Sequence, residues 1–313
     1  MVFMTDDAAE SEEDDDARFQ LAAHSAGRIV SRWRAHARIT TKNLAHYTDV
    51  APPSSLYETD RASAYAGNHP IAFEQTVRQA EILSNGLVSH LEGLNLLMRH
   101  GTLHTLPATV IARSIAEVAA SCSWVLQPEV SADARAARAY ALVFHMLENS
   151  TPQLIPEDAD YAVRMREKLV RQLSASGITV TRRVRRGKET DNVDQVFVGS
   201  ARARTSYNIS QRIAAEIPEI GDMYAGLSSA AHGESLHVAN AWELPDAFAR
   251  RIGFVVHWSA MAWSKAIHRW VDVVPGPVET DEYLKDLRRS IHPDIVATIM
   301  ARGEPGEPHH DRT

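Results

Sequence analysis

A chain of 313 residues, 44% hydrophobic and 23% charged, can bury a substantial core, which excludes a disordered or fibrous polymer. Its net charge of −7 arises at the N-terminus, where residues 1–17 hold eight acids (Asp6, Asp7, Glu10, Glu12, Glu13, Asp14, Asp15 and Asp16) and no Lys or Arg. Setting those eight aside from the 40 acids leaves 32 against 33 bases, a near-neutral body without the global basic field of a dedicated nucleic-acid binder.

Residues 1–15 are expected to form a disordered acidic arm, and residues 303–313, rich in Gly, Pro and charge, a disordered tail. The acidic N-terminus has neither a basic region nor an apolar run, so no secretory leader is expected. Cys122 is the only cysteine, so an intramolecular disulfide is impossible and a cytoplasmic location is expected.

Between arm and tail the pattern is helical, and a single domain over residues 16–302 is expected. A first helix is predicted from about Asp15 to His36, with Phe19, Ala22, Ala26, Ile29, Val30 and Trp33 on one side. After a Pro-rich connection around Pro52 and Pro53, the spacing of Phe73, Val77, Ala80, Leu87, Leu91, Leu94 and Met98 predicts a long amphipathic helix from Pro70 to His100. Thr105 should cap a helix over Leu106–Leu126, Ser131 one ending near Asn149, and Pro156 should open one running towards Gly177.

At Ile178 the period changes to two. Ile178, Val180 and Val184 alternate with polar residues, and Gly187–Asn192 form a turn-rich link to Val193–Val198. One β-hairpin, over about residues 178–199, is therefore expected as an insertion. Helices resume at about Asn208–Ile217, Ile220–His232, Pro245–Val271 and Thr280–Ala301. The most apolar stretch, Ile252–Trp270, is interrupted by His257, Lys265, His268 and Arg269, so it reads as a core helix rather than a membrane span. Its Trp263 and Trp270 form a packing stripe. The fold class expected is mainly α, a multi-helix bundle carrying one hairpin.

Two helical stretches carry the chemistry. Arg113 and Glu117 lie one turn apart among alanines and aliphatics, with Trp124 on the same side. Tyr224, Ser228 and His232 recur every four residues, so they share a face of a helix that stops at Gly233. The first pair reads either as an ion pair orienting neighbouring helices or as a ligand-facing arginine. The second set reads either as a C-terminal histidine with a satisfied Tyr and Ser, or as a general acid/base beside Arg113. Arg113, Glu117, Tyr224, Ser228 and His232 are the primary candidate cluster, and the two stripes are expected to meet across a helix interface.

His232, Glu234, His237 and Glu243 lack the spacing that sets two ligands on one helical face, so no metal and no cofactor are expected. Arg138 and His145, two turns apart, form a second candidate pair. Arg182, Arg183, Arg185, Arg186 and Lys188 crowd the hairpin, offset by Glu189, Asp191 and Asp194; a solvated, self-paired hairpin is expected, with partner recognition as the alternative.

The run Ala112-Arg113-x3-Glu117, Trp124-x-Leu126-x-Pro128, Arg135-x2-Arg138, followed by Tyr224-x2-Leu227-Ser228-x3-His232-Gly233, resembles a set of actinobacterial helical proteins of unknown function with a HEPN-like core, related to abortive-infection families. The resemblance covers roughly residues 70–270. It implies a helical bundle, often dimeric, with a link to RNA or phage defence, and makes Arg113, Glu117, Tyr224, Ser228 and His232 the shared positions. HEPN ribonucleases carry an Arg-x(4–6)-His signature, for which this chain offers Arg138 and His145. Two readings follow. One is a non-catalytic homodimer acting through protein or RNA partners; the other is a HEPN-like ribonuclease or nucleotide-binding enzyme.

Overall fold

A computed structural model describes residues 6–67, 69–98, 104–150, 156–231, 245–276 and 278–300. Among these are ten α-helices and one small antiparallel sheet, which packs against two of them, so the chain is mainly α. In order they are α1 (Asp6–Asp49), α2 (Leu56–Ala66), α3 (Pro70–Met98), α4 (Thr105–Val125), α5 (Ala132–Ser150), α6 (Pro156–Ala175), α7 (Ile209–Glu216), α8 (Gly221–Ala231), α9 (Pro245–Val271) and α10 (Thr280–Met300). Strands β1 (Thr179–Arg185), β2 (Lys188–Val198) and β3 (Ala201–Arg204) separate α6 from α7.

Helix α1 is longer than its sequence predicts. It takes in the acidic residues from Asp6, where a disordered arm is expected, and passes His36 to reach Asp49. The C-terminal extension follows from its buried stripe, since Ala22, Ala26, Ile29, Val30 and Trp33 are succeeded by Ala37, Thr40, Leu44 and Tyr47 at helical spacing. This stripe lies along α9, and with α3 and α4 the two helices enclose the main core. At Gly253 of α9 a β-carbon would stand 3.2 Å from that of Ala26, so the glycine is what lets the two axes approach. Cys122 of α4 is buried in the same core.

Helix α4 starts at Thr105 with His104 as its cap residue and no side-chain capping bond, in place of the expected Thr105 cap. Ser131 does cap α5, its hydroxyl accepting from the Ala134 amide at 3.2 Å. Helix α2 is absent from the sequence reading. Ser55 caps it by accepting from Glu58 N at 3.1 Å, and it buries Asp60 and Ala64.

A second, smaller core lies under the sheet, where Ala137, Tyr140, Ala141 and Phe144 of α5 meet Val193, Val196 and Val198 of β2. The hairpin is tighter than expected: Arg186 and Gly187, both with positive φ, make a two-residue turn, and β2 begins at Lys188. It is also one strand of three, because β3 pairs antiparallel with β2 through Gln195–Arg204 and Val198–Ala201. Gly199, at φ 53°, turns β2 into β3 against Asp133 of α5, whose carboxylate fills the space a β-carbon would need. Trp124 packs on both cores and joins them.

Candidate functional site

Arg113, Glu117, Ser121 and Trp124 fall at i, i+4, i+8 and i+11 along α4, so they form one strip on a helix otherwise built mostly of alanine and aliphatic residues, with Arg113 and Glu117 its only charged positions. Helices α8, α7 and α5 each contribute side chains to that strip. Arg113 Nε donates to Glu117 Oε1 at 2.7 Å and to the Tyr224 hydroxyl at 3.2 Å, and the hydroxyl itself donates to Glu117 Oε1 at 2.5 Å. Tyr224 is 1% exposed, while the Arg113 and Glu117 side chains remain 21% and 33% exposed. The two sequence stripes therefore do meet, through Tyr224.

The electrostatics agree with this triangle. Burial works against the Arg113 charge, but hydrogen bonds to Tyr224 and Glu117 outweigh it and hold its pKa above the usual arginine value. Burial, and then the adjacent Glu117 carboxylate, push the Tyr224 hydroxyl up, so it stays a neutral donor. Burial lowers the pKa of His90 of α3, which the sequence does not flag, and the Glu117 charge opposes that shift. Ser228 follows one turn after Tyr224 and is half-buried. His232, with Glu234, His237 and Glu243, lies outside the described residues.

Further along the strip four flat groups are stacked. The Arg212 guanidinium sits 3.9 Å from the Trp124 ring centre and 3.3 Å from that of Tyr207, and the Tyr207 ring lies 4.2 Å from the His145 imidazole. Arg212 comes from α7, whose N-terminus is capped by the Asn208 side-chain Oδ1 accepting from the Ser210 and Gln211 amides. Arg138 also lies over Trp124, 5.1 Å from its ring centre, donating through Nη1 to the Trp124 carbonyl at 2.5 Å and to Gln127 Oε1 at 2.8 Å. Burial lowers the Arg212 pKa to about 10, against the pull of Tyr207 and Glu216.

Arg138 and His145 thus reach the same stack from one face of α5, but each is already engaged. His145 Nδ1 donates to the Thr205 carbonyl at 3.0 Å, and its Nε2 lies 2.7 Å from Asn149 Nδ2. Burial lowers its pKa, reinforced by Arg212 and Arg183 and opposed by the Thr205 carbonyl, so the ring is neutral at pH 7.

The sequence reading missed the most deeply buried ion pair. Arg135, 2% exposed, forks onto Asp60 through Nε at 2.7 Å and Nη2 at 2.6 Å. Its Nη1 donates to the carbonyls of Gln127 and Val130, and Trp270 Nε1 donates to Asp60 Oδ2 at 3.0 Å. No local signal marks Asp60, since its partners lie 75 and 210 residues away.

The hairpin cluster also departs from expectation. Arg183 bonds across to Glu148 of α5 at 3.2 Å instead of to an acid of the returning strand, and Glu148 Oε1 accepts from Val193 N at 2.7 Å. Arg182 donates to the Asp191 carbonyl, while Arg185, Arg186 and Lys188 are exposed. Among the described residues no group of three His, Cys, Asp or Glu side chains is arranged to hold a metal, and no helix is long and apolar enough to cross a membrane. No family model matches the sequence, and neither a curated protein nor a solved structure is significantly similar to it.

Proposed function

We propose that the chain is a non-catalytic, HEPN-like helical protein that works as a homodimer by binding a protein or RNA partner. What supports this reading is the state of the candidate catalytic groups. Glu117 and Tyr224 are tied to Arg113, Arg138 is held by the Trp124 carbonyl and Gln127, and both nitrogens of His145 have neighbours at hydrogen-bond distance. A general acid or base needs a lone pair or proton directed at substrate, and here those positions serve to hold α4, α5 and α8 together. The exposed Arg185, Arg186 and Lys188 on the hairpin supply local positive charge for a partner that the near-neutral body does not supply globally.

The competing reading is a HEPN-like ribonuclease, and one observation favours it: Arg138, Arg212 and His145 gather about a single aromatic stack. Incubation of the wild-type chain and of His145→Ala and His232→Ala with structured and single-stranded RNAs separates the two. No cleavage above buffer by any of the three is expected. Cleavage by the wild type that either substitution abolishes would overturn the non-catalytic reading. Light scattering during size-exclusion chromatography should give about 69 kDa, twice the 34.6 kDa chain mass.

A further inference from the structure

The three-stranded sheet packs one face on α5, and register sets what the other face carries. Val180, Val196 and Ala203 stand side by side across the strands and belong to the smaller core. The rows on either side of them, Thr179–Phe197–Arg202 and Thr181–Gln195–Arg204, therefore point the opposite way. Phe197 is half-buried yet joins none of the apolar clusters among the described residues. Arg202 is its direct cross-strand neighbour, and Arg202 and Arg204 are exposed about 7 Å apart along β3. None of the six is acidic; the adjoining Asp194 carboxylate accepts from Gln195 Nε2 at 3.3 Å.

Charge is concentrated here. Residues 179–204 hold seven Lys and Arg against three acids, Glu189, Asp191 and Asp194. With residues 1–17 set aside, the rest of the chain holds 26 bases against 29 acids, so the positive surplus belongs to the sheet. Arg183 is taken by Glu148, but Arg185, Arg186 and Lys188 stand exposed at the β1–β2 turn, about 30 Å along β2 from Phe197. Such a surplus attracts a polyanion. A ring beside guanidinium groups on a strand surface suits unpaired bases, whereas a duplex hides its base faces and an acidic protein has no use for the ring. Thr181 and Gln195 add a hydroxyl and an amide that can bond a ribose 2′-hydroxyl, the group that separates RNA from DNA.

We propose that this outer sheet face binds single-stranded RNA, with a base stacked on Phe197 and backbone phosphates on Arg202 and Arg204. RNA thereby becomes the partner in the partner-binding reading, on which this assignment rests.

Fluorescence anisotropy of the full chain with a labelled single-stranded RNA of about ten nucleotides tests it. At about 50 mM salt the wild type should bind saturably, with the RNA duplex about tenfold weaker and a DNA strand of the same sequence a few-fold weaker. Phe197→Leu should weaken the RNA about tenfold without changing the slope of affinity against salt. Arg204→Gln should weaken it several-fold and lower that slope by about one. Circular dichroism melts verify folding, and Phe197→Thr or Arg202→Gln replaces a variant that does not fold. Unchanged affinity in a folded Phe197 variant, equal binding of single strand and duplex, or equal binding of RNA and DNA would overturn the assignment. Absence of RNA binding would overturn it as well but leave a protein as the partner, because the partner-binding reading fails separately, by RNA cleavage or a monomeric mass.

Discussion

Asp60 shows how a single acidic residue can commit three distant segments to one arrangement. Its carboxylate receives both Arg135 donors and the Trp270 indole in a site where Arg135 and Asp60 are 2% and 3% exposed. Desolvating two charges offsets most of their attraction, so the pair contributes little against an apolar replacement, but removing one partner strands the other. Asp60→Asn should therefore lower unfolding free energy by about 3 kcal/mol, read from urea denaturation, whereas Asp60→Leu combined with Arg135→Met should cost clearly less than that single change. A double variant as unstable as the sum of its singles would contradict this account. The same residue marks where sequence reading ends. Arg113, Glu117 and Tyr224 are legible because helical spacing brings two of them together locally and points the third the same way. Asp60 offers no such pattern.

Elements tell the same story at larger size. The long helices α1, α3 and α9 announce themselves by apolar period, and β1 and β2 by alternation. Helix α2 does not, because its one buried polar group is satisfied only by α5 and α9. Strand β3, of four residues, is too short for a period to register. The seam between α1 and α9 yields a prediction of its own. His36 shares hydrogen bonds with Ser264 at 2.9 Å and Tyr283 at 3.0 Å, His268 donates to or accepts from Thr40 at 3.4 Å, and Trp33 Nε1 donates to His257 at 3.3 Å. Burial, with His268 adding to it, lowers the His36 pKa to about 3, and burial lowers His268 as well.

The unfolded chain, with histidines near 6.5, thus takes up protons before the folded chain does. Stability is full above pH 6.5 and is lost as pH falls towards 3, at about 1.4 kcal/mol per pH unit for each histidine fully held neutral. Denaturation at pH 7, 5.5 and 4.5 should show this slope, and His36→Gln should flatten it. A stability independent of pH over that interval would refute the assignment.

At the scale of the molecule, two cores share one indole. Trp124 touches the main bundle and the core beneath the sheet, and Arg138 and Arg212 lie over it. Gln127, which holds Arg138 beside that indole, also lines the cleft between α4 and α9. None of this is legible in the sequence beforehand, because the joint depends on α5, α7 and Tyr207, between β3 and α7, arriving at one helix.

Cys122 lies two residues before that indole on α4, wholly enclosed, its thiol pushed up by burial. A disulfide reagent cannot touch the sulfur until α4 parts from its neighbours, so the labelling rate counts how often the bundle breathes. In the native protein the reaction should be slower than that of the urea-unfolded chain by a factor tracking the opening free energy. Asp60→Asn should quicken it, the logarithm of the rate rising with the stability lost. With one such atom in the whole chain, the molecule carries a stopwatch for its own interior, and needs no engineered probe.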